Sequence, residues 1–250
     1  MTAVLAMQNL VKFNWQSRNT SSSRYLFSQL SAEITQPDKV ALIGPSGQGK
    51  STLLRILALL DVPDEGDLLL NGSSFRQTDP RLWRMEVSYV SQQAVMLPGS
   101  ITDNLSTVSR LHSRPYDAEL AAQLMNQLGL DYLDPGKKAD ECSGGEKQRI
   151  SLIRSLLLRP AILLLDEITA SLDINSARKV EDLLMEWHQK EGATLIWVTH
   201  DLEQVRRISN RTWLMNGGGM EDHCTAAFFD QPSAALARQL IHAAEGRQDT

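Results

Sequence analysis

Three apolar runs stand out along the chain because nothing polar interrupts them: Val40-Ala41-Leu42-Ile43, Ala161-Ile162-Leu163-Leu164-Leu165 and Leu195-Ile196-Trp197-Val198, the last led by Thr194. A strand with one wet face alternates, so runs of this kind predict strands buried on both faces of a parallel sheet; residues 87–90 are a fourth candidate. The first run meets a glycine-rich loop and then Ser51-Thr52-Leu53-Leu54-Arg55-Ile56-Leu57, which reads as strand, loop, helix. Between residues 93 and 159 the period lengthens. Residues 116–128 and 145–158 have helical spacing, with Ile150, Ile153, Leu156 and Leu157 expected on one face. The predicted organisation is a single α/β domain whose core is built from residues 1–92 and 160–250, with an inserted helical lobe over 93–159. Thr20-Ser21-Ser22-Ser23-Arg24 predicts a turn between early strands, Gly217-Gly218-Gly219 a late hairpin-like turn, and residues 231–244 a terminal helix. No internal repeat is visible.

Composition narrows the function classes. At 250 residues, 42% hydrophobic and 22% charged, the chain can bury a substantial core. A net charge of -5 gives no general attraction for phosphate backbones or anionic lipid, so no nucleic-acid partner is expected. Cys142 and Cys224 are far apart and form no CxxC pair, which leaves a disulfide framework or zinc site without ligands and fits a reducing cytosol. The opening residues do not read as a leader, and no stretch approaches the roughly 18 apolar residues of a membrane span. A membrane role therefore requires another chain to cross.

Gly44-Pro45-Ser46-Gly47-Gln48-Gly49-Lys50-Ser51 matches the G-x-x-x-x-G-K-[ST] phosphate loop in the required context, after a strand and opening a helix. Such a loop turns successive N–H groups inward, places the helix dipole behind them, sends Lys50 to the β- and γ-phosphates, and offers the Ser51 hydroxyl to Mg²⁺, with Thr52 next on the helix. At the end of the 161–165 run stand Asp166 and Glu167. A strand end puts both carboxylates at the sheet edge, where Asp166 suits Mg²⁺ and Glu167 suits a base for the attacking water. Taken alone, the pair also fits a helix cap.

Cys142-Ser143-Gly144-Gly145-Glu146-Lys147-Gln148-Arg149, just upstream, resembles the signature of the ATP-binding cassette ATPases. The other motifs of that family follow in order: Tyr89-Val90-Ser91-Gln92 is similar to the Q-loop, Ala170-Ser171-Leu172-Asp173 to the D-loop, and Val198-Thr199-His200-Asp201 to the switch-histidine segment. The resemblance covers about residues 5–220. It implies a P-loop NTPase core with a mixed, mainly parallel sheet, an early antiparallel β-subdomain and a helical lobe, binding ATP and Mg²⁺. It also implies roles: Gln92 at the metal or attacking water, His200 at the γ-phosphate, and Asp173 across a dimer interface, although an isolated Asp173 reads as an N-cap. Ser143, Gly144 and Gly145 would cover ATP held by a second copy in a head-to-tail homodimer. An aromatic residue on an early strand would stack on adenine, with Trp15 or Phe13 as the choices.

Two residues depart from the family pattern, Cys142 in place of leucine and Glu146 in place of glutamine, while Ser-Gly-Gly is intact. Cys142 reads as a small buried hydrophobe or as a reactive thiol before a helix. The Asp222-His223-Cys224 cluster reads as surface. The string from Ser143 to the acidic pair particularly resembles bacterial iron-export ATPase subunits and their plant aluminium-tolerance relatives. The resulting expectation is the ATPase subunit of a transporter with separate integral membrane subunits, peripheral on the cytoplasmic face, with a metal ion as cargo. A soluble ATPase of the superfamily acting in DNA repair or translation is the alternative. The apolar segment Ala94-Val95-Met96-Leu97-Pro98 is expected either to receive the membrane subunit or to belong to the lobe core.

Overall fold

The computed structural model describes residues 4–14, 24–35 and 37–230. In chain order the elements are β1 Leu5–Phe13, β2 Tyr25–Ile34, β3 Lys39–Ile43, α1 Lys50–Leu57, β4 Glu65–Leu70, β5 Ser73–Ser74, α2 Pro80–Glu86 and β6 Val87–Val90. Then follow α3 Ile101–Leu111, α4 Ala118–Gln127, α5 Gly144–Leu156, β7 Ile162–Asp166, α6 Ile174–Glu191, β8 Thr194–Val198, α7 Leu202–Ile208, β9 Arg211–Asn216, β10 Gly219–Cys224 and α8 Thr225–Asp230. They form two compact units, one from residues 1–84 and 194–250 and one from residues 85–193.

In the first unit β3 lies between β8 and β9 and runs parallel to both, pairing Ala41 with Trp197 on one side and with Thr212 on the other. A strand hydrogen-bonded on both edges and covered on both faces has no wet side, which is why residues 40–43 are apolar and at most 2% exposed. A cluster of Ala41, Ile43, Leu202, Val205, Leu214 and Phe228 packs α7 and α8 on one face. The Gly217-Gly218 turn closes the β9–β10 hairpin, as the glycine run predicts. An antiparallel sheet, in the order β2-β1-β4-β5, completes the unit. Its β1 and β2 are the early strands expected around residues 20–24; of that turn only Arg24 lies within the described residues, and the helix expected over 231–244 lies outside them.

In the second unit β6 pairs in parallel with β7, from Val87 against Ile162 to Val90 against Leu165. The helices α3 and α4 pack on α5. Ile150, Ile153 and Leu156 are fully buried on α5 as its period predicts. Leu157, expected on the same face, is the C-cap residue and is only partly buried. Helix α3 has helical spacing in Ile101, Leu105, Val108 and Leu111, and its buried face sets Asn104 and Ser109 beside Ile101 and Leu105. Asn104 replaces hydrophobic burial with specific bonds: its Oδ1 accepts from Leu97 N at 2.8 Å, and its Nδ2 donates to Leu97 O at 2.9 Å and Ser100 O at 3.0 Å. Ser100 and Asp103 form a capping box at the start of the same helix. Asn104→Ala leaves the Leu97 groups without their partner and is expected to destabilise the protein by about 2–3 kcal/mol, read from urea unfolding.

Candidate active site

The first unit carries the phosphate-loop motif. Where β3 ends, Gly44 adopts φ +144°, and a Cβ placed on it would lie 2.2 Å from Met215 O of β9. The loop therefore begins with a passage that only glycine can make. At its other end Gly49, the N-cap of α1, lies against β2: a Cβ there would come within 2.8 Å of the Leu26 side chain. Between these fixed points Ser46 and Gly47 are exposed, while Pro45, Gln48 and Thr52 are partly buried and Ser51 is exposed at the start of the helix. Lys50 is 6% exposed, and its ammonium donates to Gly44 O at 2.8 Å and Pro45 O at 2.9 Å. The loop thus folds around its own lysine.

His200 follows β8 and is exposed. Its neighbour Asp201 caps α7, accepting from Glu203 N at 2.9 Å and Gln204 N at 3.2 Å, which fixes the turn that presents the imidazole. Of the two aromatic residues considered for adenine, Trp15 lies outside the described residues. Phe13 ends β1, with its ring centroid 5.5 Å from that of Tyr25, and the Arg24 guanidinium carbon lies 5.5 Å from the Phe13 centroid.

The second unit holds the acidic pair, the Q-loop residue and the signature segment. Asp166, 3% exposed, ends β7 and accepts from the Tyr89 hydroxyl at 2.8 Å. The next residue, Glu167, has φ +49°, a left-handed conformation that costs a side-chain-bearing residue on the order of 1 kcal/mol. That turn aims its carboxylate at Gln92, whose Nε2 donates to Glu167 Oε2 at 3.0 Å. Two residues from separate motifs are thereby brought together. Asp173 is engaged as the N-cap of α6: it accepts from Ser176 N at 2.9 Å, and the bonds to Ser176 hold its carboxyl below the usual carboxylate range.

Ser143 caps α5 in a reciprocal box, accepting from Glu146 N at 3.3 Å while its own N–H donates to Glu146 Oε2 at 2.6 Å. Ser143 and Gly144 are exposed, and a Cβ on Gly145 would meet Leu172 of the D-loop segment at 3.2 Å. Cys142 is 5% exposed, and burial pushes its thiol up, so it fills space and is not poised as a thiolate. One turn into the helix, Gln148 is buried and donates to Ser91 O at 2.8 Å, tying the signature helix to the residue before Gln92. Gln148 and Tyr89 fall inside the signature and Q-loop segments without a role assigned to them, and Tyr132, bonded to Glu146, belongs to no motif; each acts through a contact without periodic spacing. Asp222, His223 and Cys224 lie on β10, where Asp222 is held by Arg211 and His223 by Glu221, and no group suited to a metal ion is present among the described residues.

The family model for the ABC transporter matches residues 27–170. A protein of Bacillus subtilis (strain 168) named as an ABC transporter ATP-binding protein, YjkB, is 38% identical over 218 residues, 86% of each chain. A probable iron export ATP-binding protein of Escherichia coli (strain K12), FetA, is 37% identical over 164 residues, covering 66% of this chain and 73% of its own. The sulfate/thiosulfate import ATP-binding protein CysA of Pseudomonas putida is 34% identical over 227 residues, 86% of this chain and 68% of its own. No helix among the described residues is long and apolar enough to cross a membrane. The chain belongs to the ABC transporter family as an ATP-binding subunit, an ATPase that works with membrane-spanning transporter subunits.

Proposed function

We propose that this subunit powers export of a metal ion, iron, from the cytoplasmic face of the membrane, and that it hydrolyses ATP as a head-to-tail homodimer. The observation that carries the dimer is Gly144. It has no positive φ, and a Cβ on it would meet nothing within 4 Å among the described residues, so no internal contact there calls for glycine. A glycine without an internal reason, exposed beside Ser143 at a helix start, suits close approach of a phosphate from outside. The proposed catalytic core is residues 1–92 and 160–250, with the lobe over 93–159.

The residues suit Mg²⁺. The Ser51 hydroxyl, Asp166 carboxylate and Gln92 amide oxygen are hard donors, and Gln92 commits its nitrogen to Glu167, which leaves its oxygen as the end that faces a cation. Held by these residues, Mg²⁺ would offset the negative charge of the phosphates. The loop from Gly44 to Thr52, with Pro45, Ser46, Gly47, Gln48 and Gly49 supplying backbone, encloses the phosphates, and Lys50 exchanges its two carbonyl partners for phosphate oxygens. Glu167 accepts the proton of the attacking water. Its hydrogen bond to Gln92 orients the carboxylate beforehand, and His200 holds the γ-phosphate. Ser143, Gly144 and Gly145 of the second copy close the site, with Asp173 at the interface and Trp15 or Phe13 against adenine. Iron as cargo rests on the likeness to FetA and on the signature string; other relatives are named as importers.

Three outcomes follow. A mixture of inactive Lys50→Ala and inactive Ser143→Arg chains should regain up to about a quarter of wild-type turnover, because half the dimers then hold one complete site of two; no recovery would sink the composite site. Everted vesicles containing the subunit and its co-purifying membrane chain should take up iron with ATP but not with the Glu167→Gln variant. Uptake of other solutes and not of iron would refute the cargo. Val95 and Leu97 are 66% and 42% exposed, on a segment whose backbone is clamped by Arg154 at Val95 O and by Asn104 at Leu97. Val95→Asp should detach the membrane subunit, read by co-purification, while the ATPase of the isolated chain stays within about 2-fold of wild type.

A further inference from the structure

The loop between α4 and α5 is pinned by Leu130 and Leu133, 0% and 7% exposed, and closed by a bond from Leu133 N to Leu130 O at 3.0 Å. Tyr132, between them, is 66% exposed, so its ring adds little to the core. Its hydroxyl nevertheless has one defined partner, donating to Glu146 Oε1 at 2.6 Å. The other oxygen of the same carboxylate accepts from Ser143 N at 2.6 Å. Each carboxylate oxygen therefore has its own donor, and the group is fixed in both position and tilt. The bond to Tyr132 holds the Glu146 carboxyl below its usual range and raises the phenol, as expected when an O–H donates to an anion.

This chain of bonds ends on the atoms that would meet phosphate. Ser143 Oγ is already the acceptor for Glu146 N, so its own O–H is the donor left to point outward. The N–H groups of Gly144 and Gly145 occupy the first turn of α5, where a helix has no internal acceptor for them. A carboxylate at Glu146 brings a negative charge to the place that would face a triphosphate. The carboxamide usual in the family brings none.

We propose that Tyr132 is a positioning residue for ATP hydrolysis: its hydroxyl holds and partly offsets the Glu146 carboxylate, so that Ser143 and the first turn of α5 stay aimed at the γ-phosphate of ATP bound to a second copy. The role rests on the composite-site reading above. It is specific to a chain with glutamate at this position, since a neutral side chain needs no proton donor to offset its charge.

The test is a double-mutant cycle on full-length protein. Tyr132→Phe should lower kcat at saturating ATP about 5-fold, the scale of one ordinary net hydrogen bond on an exposed pair, with the nucleotide affinity of the isolated chain and its thermal midpoint unchanged. In the Glu146→Gln background the same substitution should cost less than about 2-fold, because no charge remains for the hydroxyl to hold. An equal loss in both backgrounds would show that Tyr132 acts by another route and would overturn the proposal, as would no loss in either. Complementation between the Lys50→Ala and Ser143→Arg chains separates the two readings. If they complement while Tyr132→Phe is silent, the composite site stands and the role given to Tyr132 falls; if they do not complement, the composite site itself falls.

Discussion

The passage of the backbone at Gly44 against strand β9 is the constraint on which the first unit depends. β3 is paired on both edges and buried on both faces, so its carboxyl end has no lateral freedom, and the chain must leave it through a gap that would put a side-chain carbon 2.2 Å from a carbonyl oxygen. Once the chain passes, the loop has little choice of path. Gly49 rests on β2, α1 begins, and the buried ammonium of Lys50 binds the two carbonyls nearest the turn. Loop geometry and lysine placement are therefore consequences of the sheet pairing acting through one close contact. The loop owes its shape to the strands on either side of it.

The second unit is organised by polar contacts, although its core is apolar. The unbroken run of β7 delivers Asp166 and Glu167 to the end of a fully buried strand, and a tyrosine and a glutamine from the β6 side meet those two carboxylates one apiece. The left-handed backbone at Glu167 keeps the second carboxylate from following the strand direction of the first. Neighbouring residues of the same chemistry are thereby given different partners. Separate environments for adjacent carboxylates are what the proposed division of roles, one for a cation and the other for a proton, requires.

The legible parts of this fold are those where one physical signal dominates. β3, β7 and β8 are unbroken apolar runs because they are buried on both faces, and β6 is a strand at the residues where the pattern offers one, while its pairing with β7 is set by the fold. The glycine loop and the Ser-Gly-Gly helix start are legible because their spacing is fixed by backbone geometry. Within helix α3 the burial of Asn104 was not legible, because a buried amide there performs a task normally given to an apolar side chain. The contacts made by Tyr89 and Tyr132 were illegible for a different reason. Their partners lie 77 and 14 residues away, and only the tertiary fold sets those separations.

The bond from Gln148 to Ser91 O has a mechanical meaning. It joins the signature helix to the Q-loop one residue before Gln92, and Gln148 is 4% exposed, so its side of the joint is held in the packed interior. Ser143 lies five residues up the same helix, about 7.5 Å along its axis at 1.5 Å per residue. A tilt of about 10° about the Gln148 joint would carry Ser143 by ~1 Å, enough to take a donor out of hydrogen-bonding range. Helix α5 is in this sense a short lever with its fulcrum at the Q-loop, and in the proposed composite site small rotations at one end would be read at the other as contact or no contact.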